Sequence, residues 1–194
     1  MAAFKRGQVV AFEVLVKRHR TAVFHFILRS TGQPARAEDL LQETWLRVIR
    51  GASDYAPRAK FTTWVYTIAR NLCLDSARRE RHRETDSLDA AGRGGGLPLG
   101  MRLPDESRSP ESAAHELHLR PLLERALGSL PEEQREVFVL REYSGMGFRE
   151  IGEVTGVSEN TVKSRMRYAL DALRRRLGEL GVDGNAPAAK TVSG

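Results

Sequence analysis

Apolar residues recur at helical spacing along most of this chain, and no stretch shows the strict alternation of a strand. Residues 8–30, QVVAFEVLVKRHRTAVFHFILRS, place Phe12, Leu15 and Val16 before a basic KRHR patch and Val23, Phe26 and Ile27 after it. The pattern predicts one long helix, or two helices broken near Arg20. Gly32 and Pro34 then mark a turn. Residues 35–50, ARAEDLLQETWLRVIR, form the next predicted helix, opened by acidic residues that suit its positive end. On a wheel Leu41, Trp45 and Val48 share one arc, with Ile49 at its edge. The opposite arc holds Asp39, Gln42, Glu43 and Arg47, and Leu46 lies in its middle, where a monomer has no use for it. A leucine ringed by polar side chains reads as a docking face for another protein; a single, unremarkable exposed leucine is the other reading.

GASDYAPRAK, residues 51–60, is a loop, and FTTWVYTIARNLCLDSARRERHR, residues 61–83, is a helix. Trp64, Ile68, Leu72 and Cys73 mark its buried face. Tyr66, Arg70, Asn71, Arg78, Arg79, Arg81 and Arg83 form an aromatic and basic outer surface. Rings interleaved with arginines suit unpaired bases on a phosphate track; an amphipathic core helix with a basic tail is the other reading. From Glu84 to Pro110 the composition changes to five glycines and three prolines without periodicity. This predicts a flexible linker between two domains. Residues 111–127 read as a helix that Pro121 kinks or breaks and Gly128 ends. Pro131 opens PEEQREVFVLREY, with acids in the first turn and Val137, Phe138 and Leu140 directed to the core. The last residues, 181–194, read as a disordered tail.

The most informative stretch is FREIGEVTGVSENTVKSRMRYALDALRRRL, residues 148–177. Phe148, Ile151 and Val154 stripe a short helix. Gly156 can take the positive φ that ends it, and Ser158 is placed to cap the next helix. That second helix carries Val162, Met166, Ala169, Leu173 and Leu177 on one face. Asn160, Lys163, Ser164 and Arg167 lie opposite. Two helices, a tight glycine turn and a donor-rich face suit entry into a major groove; an ordinary helical hairpin with a solvated basic face is the bland reading.

Composition adds direction. The 194-residue chain has a formal net charge of +6, which favours an acidic partner such as nucleic acid. The one cysteine, Cys73, rules out an internal disulfide and reads as core, which fits a reducing cytoplasm. No signal peptide and no membrane span are evident. His19, His25, His115 and His118 lack companions that would make a metal site. No acid/base, nucleophile or phosphate-cradling constellation is visible, so neither catalysis nor a cofactor is expected.

The strings AEDLLQETWLRV, FTTWVYTIARNLCLDSARR and LPEEQREVFVLREYSGMGFREIGEVTGVSENTVKSRMRYALDALR, in this order and separation, resemble a bacterial RNA polymerase sigma factor of the extracytoplasmic-function type. The match runs from about Phe12 to Leu177, apart from the linker. The resemblance implies an all-α fold of two small helical domains, residues 1–83 and 111–180, joined by the flexible linker 84–110. It implies a cytoplasmic, non-enzymatic promoter-specificity subunit that works on the polymerase and is held inactive by an anti-sigma factor. Asp39, Leu40, Gln42, Glu43 and Leu46 would dock on the clamp helices of the largest polymerase subunit. Tyr55 and Asn71 fall where the family captures a flipped base of the minus-ten element, beside Lys60, Trp64 and Tyr66. Arg70, Arg78 and Arg79 would track the melted strand. Lys163, Ser164 and Arg167 fall where the family reads the minus-thirty-five element, with Ser158, Asn160, Thr161 and Tyr168 around them and Arg149 as a phosphate contact. The chain departs from the family in a short N-terminal lead and in APRAK after Tyr55, where relatives often carry glycine and acids. A self-sufficient helix-turn-helix repressor or activator is the alternative; it would leave the faces at Leu46 and Tyr66 without a role.

Overall fold

A computed structural model describes residues 1–55, 60–86, 119 and 121–182. Among these the regular structure is helical throughout. Helix α1 is Ala2–Lys5, α2 is Val9–Thr31, α3 is Pro34–Arg50 and α4 is Phe61–Asp86. The described part of helix α5 covers residue 119 and residues 121–128. It is followed by α6 (Glu132–Glu142), α7 (Phe148–Thr155) and α8 (Glu159–Glu179). The linker, the tail, His115 and His118 lie outside the described residues, apart from the last turn of α4 and the start of the tail at Gly181 and Val182.

The long N-terminal helix does not break at Arg20: α2 runs unbroken to the left-handed Gly32, whose amide donates to the Leu28 carbonyl at 2.8 Å. Lys17, Arg18 and Arg20 of the KRHR patch are exposed while His19 turns inward with its ring 5.4 Å from that of Phe61, and the backbone ladder is not interrupted. Helix α3 begins at Pro34, so Glu38 and Asp39 stand beyond its first turn, which has no acid. The acidic start expected for this helix is therefore displaced by one turn. Helix α1 was not legible; Phe4 holds it by stacking on Phe12 with centroids 4.8 Å apart.

In the N-terminal half, α2, α3 and α4 pack on one another. Val23, Phe26 and Ile27 of α2 meet Leu41, Trp45 and Val48 of α3 and Val65 and Ala69 of α4, all buried in one cluster. In the C-terminal half, Val137, Phe138, Val139 and Leu140 of α6 are buried with Ile151 and Val154 of α7 and the α8 stripe Val162, Met166, Ala169 and Leu173. Removal of such surface from water drives both assemblies, at about 25 cal/mol per Å².

The halves touch. Helix α7 packs on α4, and α6 on α2, so the buried apolar cluster runs through both. One expectation for α4 is corrected by this. Tyr66 is not on an outer surface: it is 2% exposed, its ring edge-on to Phe26 at 5.4 Å. Helix α4 is covered on two sides, by α2 and α3 on one and by α7 on another, and Tyr66 lies between them.

Candidate nucleic-acid interface

The turn between α7 and α8 is built by three local devices. Gly156 adopts φ +74° and its amide donates to the Gly152 carbonyl at 2.8 Å. The Val157 amide reaches the same carbonyl at 3.1 Å, folding the chain back over α7. Ser158 caps α8, its Oγ accepting from the Thr161 amide at 3.1 Å, as its position in the sequence predicts. At the other end of α7, the Gly147 amide donates to Glu150 Oε2 at 2.8 Å.

This frame fixes the roll of α8. With its apolar stripe inward, Asn160, Lys163, Ser164 and Arg167 are exposed. Lys163 Nζ pairs with Glu159 Oε1 at 2.6 Å, one turn earlier. Tyr168 is 53% exposed, and the Arg167 guanidinium lies over its ring at 5.1 Å. Arg149, on α7, is fully presented to solvent and pairs loosely with Glu153 at 3.5 Å. Exposed i,i+4 pairs are worth only a few tenths of a kcal/mol, so phosphates or base edges can displace them. The hydroxyls of Ser158 and Thr161 are committed to each other at 2.9 Å, so the exposed donors of this face are Asn160 and Ser164, with Lys163 and Arg167 held only by the exposed contacts to Glu159 and Tyr168.

Helix α4 presents two faces rather than one. Trp64, Asn71 and Arg78 are spaced seven apart and so lie along one stripe. Tyr55 leans on Trp64 with centroids 4.9 Å apart and planes at 42°. Asn71, Arg78 and Arg79 are exposed, and Arg78 pairs with Asp75 at 3.4 Å. Tyr66, Arg70 and Cys73 form the second stripe, turned toward the C-terminal half. Arg70 Nε donates to Glu136 Oε1 at 2.7 Å. At the start of the helix, Lys60 Nζ pairs with Glu150 Oε1 at 2.9 Å. Burial pushes the Cys73 thiol up to about 12, so it is an inert core group.

Glu124, Glu136 and Glu150 were missed in the sequence. Each C-terminal carboxylate receives a base of the N-terminal half, Glu124 taking Arg29 at 3.1 Å. Burial holds the Glu136 carboxyl above its ordinary value against the pull of Arg70, while Lys60 and the Gly147 amide hold Glu150 below it. Glu124, flanked by apolar Leu122, Leu123, Ala126 and Leu127, was the one available signal: a charge on a buried face.

On α3, Leu46 is 45% exposed and Ile49 43%. Asp39, Gln42 and Arg47 are exposed beside them, Arg47 paired with Glu43 at 3.0 Å. Leu40 is half-buried against the core.

A helix-turn-helix with an exposed donor face has the build of a DNA-binding module. The family model for Sigma-70 region 2 matches residues 15–83, and that for Sigma-70, region 4 matches residues 120–173. The chain is 36% identical over 184 residues to the RNA polymerase sigma factor CarQ of Myxococcus xanthus, covering 94% of this chain and 98% of CarQ. It is 30% identical over 176 residues to the ECF RNA polymerase sigma factor SigW of Bacillus subtilis, covering 91% and 94%. Its fold is similar to that of the sigma factor RpoE of Bartonella quintana, solved in complex with the anti-sigma factor NepR, with a TM-score of 0.70 at 20% identity, covering 87% of this chain and 97% of that one. The chain belongs to the extracytoplasmic-function RNA polymerase sigma factors of the sigma-70 family. Among the described residues, no helix is long and apolar enough to cross a membrane.

Proposed function

We propose that this protein binds core RNA polymerase in the cytoplasm and directs it to specific promoters, without catalysing a reaction itself. The observation that carries the reading is the α8 face: Asn160, Lys163, Ser164 and Arg167, held outward by the Gly152–Gly156–Ser158 turn. Arginine and lysine can donate to guanine O6 and N7, and serine and asparagine serve other base edges. On this reading the face takes the minus-thirty-five element while Arg149 holds a phosphate. Tyr55, Trp64 and Asn71 take a melted minus-ten base, with Arg78 and Arg79 along the strand. Leu46 and Ile49, ringed by Asp39, Gln42 and Glu43, supply the apolar centre and polar rim of the polymerase contact. The similar sigma factor RpoE was solved with the anti-sigma factor NepR, and an anti-sigma partner is proposed here too.

The test is run-off transcription with purified core polymerase on a promoter library, with Arg167→Ala and Arg149→Ala beside the parent. Promoter-selective transcripts are expected. Arg167→Ala should change sequence preference by about 1–3 kcal/mol per site, whereas Arg149→Ala should weaken all sites alike. Tight, selective duplex binding without polymerase, and no stimulation of transcription, would replace this reading with that of a self-sufficient repressor.

A further inference from the structure

One apolar side chain at the edge of the donor face of α8 has no part in the core. Leu170 is 37% exposed and lies outside the buried cluster. It follows Arg167 by three residues and Lys163 by seven, so the three lie along one side of the helix. A single exposed leucine is ordinary. This one forms the lip of a groove of about 390 Å³ between α8 and the start of α7. Half-buried Phe148 is the wall of the groove, and Met166, 7% exposed, is its floor. Lys163 and Arg167 border it.

The walls of this groove are fixed. The Arg141 guanidinium lies 4.8 Å from the centre of the Phe148 ring, and its Nη1 donates to the Met146 carbonyl at 2.9 Å, so the ring is held at the first residue of α7. Met166 belongs to the buried cluster. At the far end Asp171 is paired with Arg174 at 3.2 Å, which offsets the charge of a carboxylate that would otherwise repel a phosphate backbone. Three apolar side chains make a poor partner for the hydrogen-bonding edge of a base. They suit the one apolar group that a base presents in the major groove, the C5-methyl of thymine. Continuity of the groove with Lys163 and Arg167, donors of the proposed duplex face, selects promoter DNA as its occupant.

We propose that Leu170, with Phe148 and Met166, is a specificity-determining site that takes a C5-methyl group of the minus-thirty-five duplex, next to the base that Arg167 reads. The inference rests on the assignment of α8 to that duplex. Lysine and arginine pick out guanine, but their donors leave the methyl unread. The apolar site separates thymine from cytosine, which lacks the methyl and turns an amino donor toward side chains that are themselves donors. 5-Methylcytosine carries the same methyl at the same place and recovers that part of the binding. The protein therefore distinguishes C5-methylated from unmethylated promoter DNA at this position.

The test uses holoenzyme and duplex promoters carrying the minus-thirty-five element that the run-off library selects. Each thymine of the element is replaced in turn by deoxyuridine, which removes only the methyl. Cytosine and 5-methylcytosine are then compared at the position so found. Competition binding and run-off transcription read the parent, Leu170→Ala and the conservative Leu170→Met, and circular dichroism confirms that the variants are folded. In the parent, uracil at one thymine position should weaken binding about fourfold, the effect of burying one methyl-sized group. 5-Methylcytosine should bind better than cytosine there by about the same factor. Leu170→Ala should bind thymine and uracil alike while keeping the preference due to Arg167, and Leu170→Met should retain most of the discrimination. A parent indifferent to uracil at every position overturns the inference, as does a Leu170→Ala variant that keeps the full uracil penalty. Both results leave α8 on the duplex, provided that Arg167→Ala still changes sequence preference. An Arg167→Ala holoenzyme with the preference of the parent would instead overturn that assignment, and the methyl site with it.

Discussion

A Cβ on Gly152 would stand 2.8 Å from the carbonyl oxygen of Val157. The clash partner is backbone, which cannot swing aside, and the same turn is tied by the Gly156 and Val157 amides to the Gly152 carbonyl. Gly152→Ala should therefore push the turn off α7 and destabilise the C-terminal half by about 1–3 kcal/mol, in the range of overpacked cores. Gly178→Ala is the control, since nothing lies within 4 Å of its Cβ; it should be neutral or stabilising by up to about 1 kcal/mol. Thermal melts followed by circular dichroism check both, and a Gly152→Ala protein as stable as the parent would mean that the turn yields.

Leu46 is 45% exposed amid Asp39, Gln42 and Arg47, with Ile49 adjoining. Its side chain lies outside the buried core cluster. Leu46→Asp should leave the melting temperature within a few degrees of the parent and weaken binding to core polymerase by roughly 2 kcal/mol or more, the size of an interface hot spot. Competition with labelled parent for core polymerase measures this. Undiminished competition would remove α3 from the polymerase contact.

Glu136 and Glu150 should give the protein two opposite pH dependences. Burial raises Glu136 above its ordinary 4.5, with Glu132 adding to the push and Arg70 and Arg165 opposing it. A raised carboxyl binds its proton better in the folded state, so its contribution is full below 4.5 and is lost as pH rises through the raised value. Glu150, lowered from 4.5 chiefly by Lys60, works the other way: its contribution is present above 4.5 and is lost as pH falls through the lowered value. Urea melts from about pH 3 to 7 should show Glu136→Gln without the decline above 4.5 and Glu150→Gln without the decline below it. The Glu150 effect should stay under about 1 kcal/mol, because Lys60 is largely exposed. A Glu136→Gln variant that tracks the parent above 4.5 would show that Arg70 compensates the burial of the carboxylate.

What was legible in the sequence was local. Gly156 and Ser158 act through bonds to residues within four positions, and the stripe Val162–Met166–Ala169–Leu173 needs only helical periodicity to declare its face. The same holds for Leu41, Trp45 and Val48, and for Leu46 on the arc opposite them. What stayed hidden depends on distant partners. Tyr66 reads as an outward aromatic until α7 is laid over α4, and the carboxylates of Glu124 and Glu136 find bases 95 and 66 residues away. One sequence carries no signal for such pairings. Helix α1 has four residues, too few for periodicity to register; it depends on Phe4 finding Phe12.

The two-faced α4 sharpens what promoter opening requires. Tyr55 and Trp64 form one aromatic corner, 4.9 Å between centroids. Asn71 lies two turns along the same stripe, about 10 Å down the helix axis. An extruded base can stack on the corner, worth about 1–3 kcal/mol by alanine substitution, and the Asn71 amide offers a donor and an acceptor to a base edge. Extrusion from a duplex costs a few kcal/mol, so losing the stacking partner should matter most where the DNA must be opened. Tyr55→Ala and Asn71→Ala should both cripple transcription from duplex promoters. Premelting the minus-ten region should restore part of the activity lost by Tyr55→Ala, because the bubble removes the extrusion cost. It should not restore sequence discrimination to Asn71→Ala, because the edge contact is still missing. Holoenzyme transcription on matched duplex and bubble templates, with permanganate footprinting of unpaired thymines, separates the two. Normal opening by both variants would move the strand-capturing site off this stripe and leave Tyr55 and Trp64 as packing residues at the end of α4.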